Sequence, residues 1–262
     1  VIFFLLPNTP GDWLERVVPF LVGLCYLFLK KIINIVPDYS TIESALNLPC
    51  GVQIKNRLCK SAMTERIADS NNFVSEKHLN LYGKWSEGGC GLLISGNVMV
   101  DRYNIEGAGN IIIEENSYKG QASTLKKWAQ IATRNDTHFW MQLSHAGRQT
   151  PAAINRLPLA PSSVKLKIPG RRFGLPKEMS VSDIEKTIRQ FTFTAKIARE
   201  VGFTGIQIHS AHGYLLSQFL SPNINLRNDE WGGSIENRSR LLIEIIRRCR
   251  KELGSDYPIS VK

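Results

Sequence analysis

No apolar stretch in this 262-residue chain reaches the ~18 residues that a membrane-spanning helix needs. The nearest is Val17–Leu29, a 13-residue run followed by Lys30 and Lys31. As a helix it would span roughly 20 Å, short of a hydrocarbon core of ~30 Å. Its positive charges follow the apolar run, whereas a secretory signal carries them in front. The five cysteines (Cys25, Cys50, Cys59, Cys90 and Cys249) contain no C-x-x-C pair, so neither a zinc ribbon nor a disulfide framework is indicated, and a reducing compartment is expected. No G-x-G-x-x-G follows a first strand, which argues against a dinucleotide-binding sheet. Repeats and low-complexity tracts are also missing. Thirty-three Lys and Arg stand against 23 Asp and Glu, a net +10, but the positive charges are scattered and no nucleic-acid face emerges. The densest run, Arg247–Lys251, reads as the solvated end of a helix.

What the chain does have, from about residue 41, is alternation. Short strand-like runs occur at Leu58–Met63, Gly91–Gly96, Phe139–Leu143, Gly205–His209 and Ile259–Lys262, with amphipathic stretches between them. Helices are expected from Ser75 to about Glu87, over Tyr118–Arg134, from a capping box at Ser182–Glu185 to Gly202, and from Ser234 onward. The last should bury Leu241, Leu242, Ile245, Ile246 and Cys249. Alternating strands and helices predict a parallel sheet covered by helices, either doubly wound or a (β/α)8 barrel. Polar residues gather at the C-terminal ends of different strands, where barrel enzymes keep their chemistry. Residues 1–40 read as a hydrophobic extension and residues 41–262 as the α/β domain. Arg148–Ser180 holds five of the 12 prolines and is expected to be an irregular binding loop or lid.

Three segments stand out chemically. In Ile208–Tyr214, strand alternation turns His209 to the face opposite Ile206 and Ile208, and His212 and Tyr214 follow on the next loop. Two imidazoles and a phenol can stabilise an oxyanion and deliver a proton; an ordinary pair of structural histidines would leave the same trace. The H-x-x-H spacing lacks a third metal ligand, and no metal is expected. In Asn56–Glu65 a strand ends in Ser61, Ala62, Met63 and Thr64, small groups and a hydroxyl that admit a flat ring. In Trp140–Arg148, Gln142 on an apolar strand needs a partner for its amide, either a ring edge or the backbone.

These segments resemble the old yellow enzyme family of FMN-dependent NAD(P)H oxidoreductases. The resemblance runs from about Ile54 to Lys262 and rests on KNRLCKSAMTE, GLLISGN, MQLSHAGRQ and above all HSAHGYLLSQFLSPNINLRNDEWGGSIENRSR. It implies an α/β fold, a (β/α)8 TIM barrel of which about five of eight units are present. It implies FMN held by Ser61, Ala62, Met63, Thr64, Gly96, Gln142 and Lys262, with NADH or NADPH as hydride donor. His209 and His212 would bind the substrate and Tyr214 would donate the proton. The partner would be a small molecule with an activated C=C, and nucleic acid is not expected. The family's phosphate-binding loops fall beyond Lys262, and Trp231 stands where the pattern has Tyr. The expected function is hydride passage from NAD(P)H through FMN to an enone-like acceptor. The alternative is a truncated, non-catalytic remnant with weak or no FMN binding. A cytoplasmic location is expected, or a membrane-anchored one if Val17–Leu29 inserts.

Overall fold

The computed structural model describes residues 40–262, apart from Arg171. The Val17–Leu29 run, with the membrane question attached to it, lies outside the described residues. Among those described, no helix is long and apolar enough to cross a membrane. Residues 42–262 form one compact unit.

Its centre is a parallel sheet. After a single helical turn at Ser40–Glu43 come the hairpin β1 (Leu46–Asn47) and β2 (Gln53–Ile54), then β3 (Cys59–Lys60), α1 (Glu76–Glu87), β4 (Leu92–Met99) and β5 (Ile111–Ile112). α2 (Ala122–Ala132), β6 (His138–Ser144), β7 (Leu159–Ala160), β8 (Lys177–Glu178) and α3 (Val181–Glu200) follow. β9 (Gly205–Ile208), α4 (Leu215–Leu220), α5 (Ile235–Leu253) and β10 (Ile259–Val261) complete the order. The main strands lie as β10-β9-β6-β4-β3, and β5 extends the pairing beside the end of β4.

Side-chain alternation shows why this is half a barrel rather than a doubly wound sheet. Leu93, Phe139, Met141, Ile206 and Ile208 pack on α1, α2, α3 and α5 in a single core. That core holds a nest of aromatic rings, Tyr82, Trp128, Phe139 and Phe203, with centroids 4.5–5.4 Å apart. The residues of opposite parity, Leu92, Ile94 and Trp140, form a separate small cluster with Ile54, Leu46 and Leu48 of the β1–β2 hairpin and Ala62. Helices on one face and a hairpin under the other leave the C-terminal strand ends open for a site.

The expected strands and helices are found, with shifted limits. β3 pairs with β4 only at Cys59↔Leu92 and Lys60↔Leu93, so it ends before Met63; the chain then crosses over Gly96. The expected helix over Tyr118–Arg134 is split: Tyr118–Gly120 is a 3₁₀ turn, and Gln121 is drawn inward to donate to the Ile112 carbonyl at 2.6 Å. α3 begins two residues before the expected box. Ser180 Oγ accepts from Asp183 N at 3.1 Å, and Asp183 Oδ2 accepts from Ser180 N at 3.0 Å. Both Ser-x-x-acid frames satisfy the capping rule; the earlier one adds helix and frees Glu185 to pair with Arg248 at 2.9 Å. In α5, Leu241, Ile245 and Cys249 are buried, while Leu242 and Ile246 only border the core. The Arg148–Ser180 connection is more ordered than expected: it carries the β7–β8 pair and a bridge from Pro151 to Phe173.

Candidate active site at the C-terminal strand ends

A bulge in β4 sets the geometry. Pairing with β6 shifts between Ile94 and Asn97, and Ser95 Oγ fills the break by accepting from Gln142 N at 2.9 Å. The extra residue turns Asn97 to the same side as Gln142. Gln142 Nε2 donates to Asn97 Oδ1 at 2.6 Å, and Asn97 Nδ2 donates to Glu106 Oε2 at 2.8 Å. Glu106 also accepts from Asn110 at 3.1 Å and from the Tyr214 hydroxyl at 2.5 Å. Burial pushes its carboxyl up, but bonds from Tyr214, Asn110, Thr64 and Asn97 outweigh that and hold it below the usual carboxylate range. The Gln142 side-chain oxygen, Oε1, is buried with no protein partner.

His209, His212 and Tyr214 meet at the end of β9. The His209 ring lies 5.1 Å from His212 and 4.9 Å from Tyr214, both edge-on. His209 Nδ1 accepts from Ala211 N at 3.2 Å, which assigns the proton of the neutral ring to Nε2. Burial, Lys262 and His212 together lower its pKa to about 4, so at neutral pH it is an uncharged donor. His212 sits in the left-handed region at φ 58°, where a residue other than glycine is uncommon. Gln149 holds that turn by donating to the His212 carbonyl at 2.6 Å, and Gln218 donates to the Gly213 carbonyl at 2.7 Å. Tyr214 N-caps α4.

The other anticipated residues divide. Ser61 and Met63 are exposed, and Ala62 is half-buried. Thr64 joins the Glu106 network, which engages its hydroxyl. Gly96 is buried beneath the crossing segment: a β-carbon there would stand 2.4 Å from the Met63 carbonyl oxygen and from Glu65 Oε2. Its small size is thus required by this chain's own packing. Lys262 is half-buried, its pKa lowered by burial, and it is near enough to His209 to act on that ring.

Asn97 and Glu106 were not singled out from the sequence. Asn97 beside the chosen Gly96 was an available signal; Glu106 lies 108 residues from Tyr214, and only folding joins them. Lys60 was missed too. It donates to the Ile94 carbonyl at 2.8 Å, stands over Trp85 at 4.2 Å and has its pKa lowered to about 8, by burial first, against the pull of Glu65. Among the described residues no three His, Cys, Asp or Glu side chains converge as a metal site.

A half-barrel with its polar groups gathered at the C-terminal ends of parallel strands belongs to the α/β-barrel class. The model of the NADH:flavin oxidoreductase / NADH oxidase family matches residues 49–262. The chain belongs to this family, that of the old yellow enzymes and FMN-dependent NAD(P)H oxidoreductases. It is 38% identical over 231 residues to the NADH-dependent flavin oxidoreductase iliE of Neonectria sp., covering 82% of this chain and 30% of that protein. Against iccE of Talaromyces variabilis, also an NADH-dependent flavin oxidoreductase, identity is 34%, with 84% and 57% covered. The solved old yellow enzyme from Pichia sp. superposes with a TM-score of 0.74 at 26% identity, covering 84% of this chain and 59% of that one. The chain therefore spans from under a third to nearly three fifths of the length of these proteins.

Proposed function

We propose that this chain forms the ring-binding and substrate-handling part of an oxidoreductase that reduces activated alkenes such as enones, with NADH or NADPH as reductant. The observation that carries this reading is the convergence of His209, His212 and Tyr214, with Tyr214 joined through Glu106 and Asn97 to Gln142, whose side-chain oxygen is buried and unpaired. A buried carbonyl oxygen without a partner costs about 1–3 kcal/mol, and a ligand N–H removes that cost. The imide edge of a flavin ring carries such a donor, so the residues present fit FMN. Gln142 would hold that edge, Ser61, Ala62, Met63 and Thr64 would lie along the ring, and Lys262 would place positive charge beside it. Gly96 would contribute by letting the segment that carries Met63 and Thr64 lie close over β4. When bound, FMN supplies a relay that takes a hydride from NAD(P)H and yields it to the alkene β-carbon.

The chain's own groups do the rest. Neutral His209, with its proton on Nε2, and His212 hydrogen-bond the carbonyl oxygen and stabilise the charge that develops there. The Tyr214 hydroxyl, parked on Glu106, turns to protonate the α-carbon. Rapid mixing separates the two halves of the reaction. Tyr214→Phe should slow alkene reduction by about 100- to 10,000-fold and leave flavin reduction by NAD(P)H nearly unchanged. Equal loss in both halves would make Tyr214 structural and remove the basis for this assignment.

A further inference from the structure

The cleft over Tyr214 carries charge that the proposed chemistry does not use. It holds about 360 Å³ and is lined by Arg66, Glu106, Gln149, Pro151, Arg172, Phe173 and Tyr214. That volume suits a small organic molecule. Arg66 enters in the left-handed region at φ 54°, with its guanidinium 3.0–3.2 Å from where a β-carbon on Gly107 would sit. Gly107 therefore allows the guanidinium to lie flat on the loop. Arg172 arrives from the long connection, where its carbonyl accepts from Ala152 N at 3.0 Å beside the Pro151–Phe173 bridge.

Glu106 forms no ion pair with either arginine, and the cleft keeps two cations against one carboxylate. Its oxygens already accept from Asn97, Asn110 and Tyr214, and Arg66 reaches only its main-chain carbonyl, at 3.4 Å. Neither arginine forms an ion pair among the described residues. Phe173 and Pro151 add apolar surface to the same cleft. A planar cationic fork is suited to a carboxylate.

We propose that Arg66 and Arg172 select alkenes bearing an anionic group, specifically a carboxylate, on the side away from the carbonyl that the histidines hold. This deepens the alkene-reductase reading and rests on it. The same cations suit a phosphate, so the test separates a carboxylate on the alkene from a phosphate on the nicotinamide donor.

The probes are 4-oxo-2-pentenoate and its neutral amide, titrated calorimetrically into the FMN-saturated protein without any NAD(P)H. The acid should bind about ten times or more tighter than the amide at low salt, and the preference should shrink as ionic strength rises. In the Arg66→Gln/Arg172→Gln double variant the ratio should fall to near one. Arg172→Glu, a change on an exposed loop, should favour the amide and gives a second reading if Arg66→Gln does not fold. Equal binding by the wild-type protein, or a ratio unmoved in the variants, overturns the proposal. So does a rise in KM for NADPH but not NADH with the acid-to-amide ratio intact, which would assign the arginines to the donor's phosphate. Turnover of both alkenes with no acid preference sinks this inference and leaves the reductase reading standing. Arginine-dependent binding of the acid without turnover of either alkene does the reverse.

Discussion

Two buried imidazoles should make this protein unusually sensitive to mild acid. His78, in the first turn of α1, is 1% exposed; its Nδ1 accepts from Ser75 N at 3.1 Å, and its ring meets Trp128 edge-on at 5.4 Å. His209 is 2% exposed and accepts from Ala211 N in the same way. A protonated Nδ1 cannot accept, and burial disfavours the cation, so both pKa values fall to about 4. An unfolded histidine titrates near 6.5. The folded value is the depressed one, so the stabilisation is fully present above pH 6.5 and is lost as pH falls toward 4. The whole loss is about 3 kcal/mol for each ring, or about 1.4 kcal/mol per pH unit for each within that window. The depressed carboxylates Asp101, Glu106, Asp183 and Asp229 weaken the fold only below their own unfolded range, so pH 6.5 to 5 reports the histidines. His78→Gln separates them, because a glutamine oxygen can accept from Ser75 N in the capping geometry and does not titrate. Urea denaturation at pH 7, 6, 5.5 and 5 should show the variant losing about 1.4 kcal/mol less per pH unit than the wild type. Parallel pH profiles would refute the reasoning.

Further substitutions test separate parts of the structure. Gly96→Ala places a methyl group 2.4 Å from two oxygens of the crossing segment, which should cost about 1–3 kcal/mol and weaken FMN binding; thermal melts and flavin absorbance report both. Gly205→Ala meets Trp140 at 2.5 Å and should destabilise similarly, visible as a blunted tryptophan fluorescence transition. Glu106→Ala strands Asn97, Asn110, Thr64 and Tyr214 together and should cost several kcal/mol in denaturant melts, on the scale of breaking a buried network. His209→Ala should reduce enone turnover about 100- to 1000-fold while flavin absorbance shows the cofactor retained.

Periodicity and motif order were enough to reveal the alternating α/β architecture, the helix face that carries Leu241, Ile245 and Cys249, and the cluster His209–His212–Tyr214. These features are local: a strand alternates every two residues and a helix repeats every 3.6, so neighbours in sequence declare which face they share. Tertiary structure decided the rest. The short β3 follows from where the chain must cross Gly96, and the first turn of α3 from a choice between two equivalent Ser-x-x-acid caps that the local sequence leaves open. The bulge at Ser95 and Gly96 reverses which residues of β4 face the site, so no fixed alternation could have placed Asn97 beside Gln142. Glu106 became the hub of the site because segments around Thr64, Asn97 and Tyr214 bring donors to it, and Arg66 and Arg172 share a cleft only because two loops far apart in sequence both line it. Such convergence depends on distances in space, which a linear pattern of residue types does not encode.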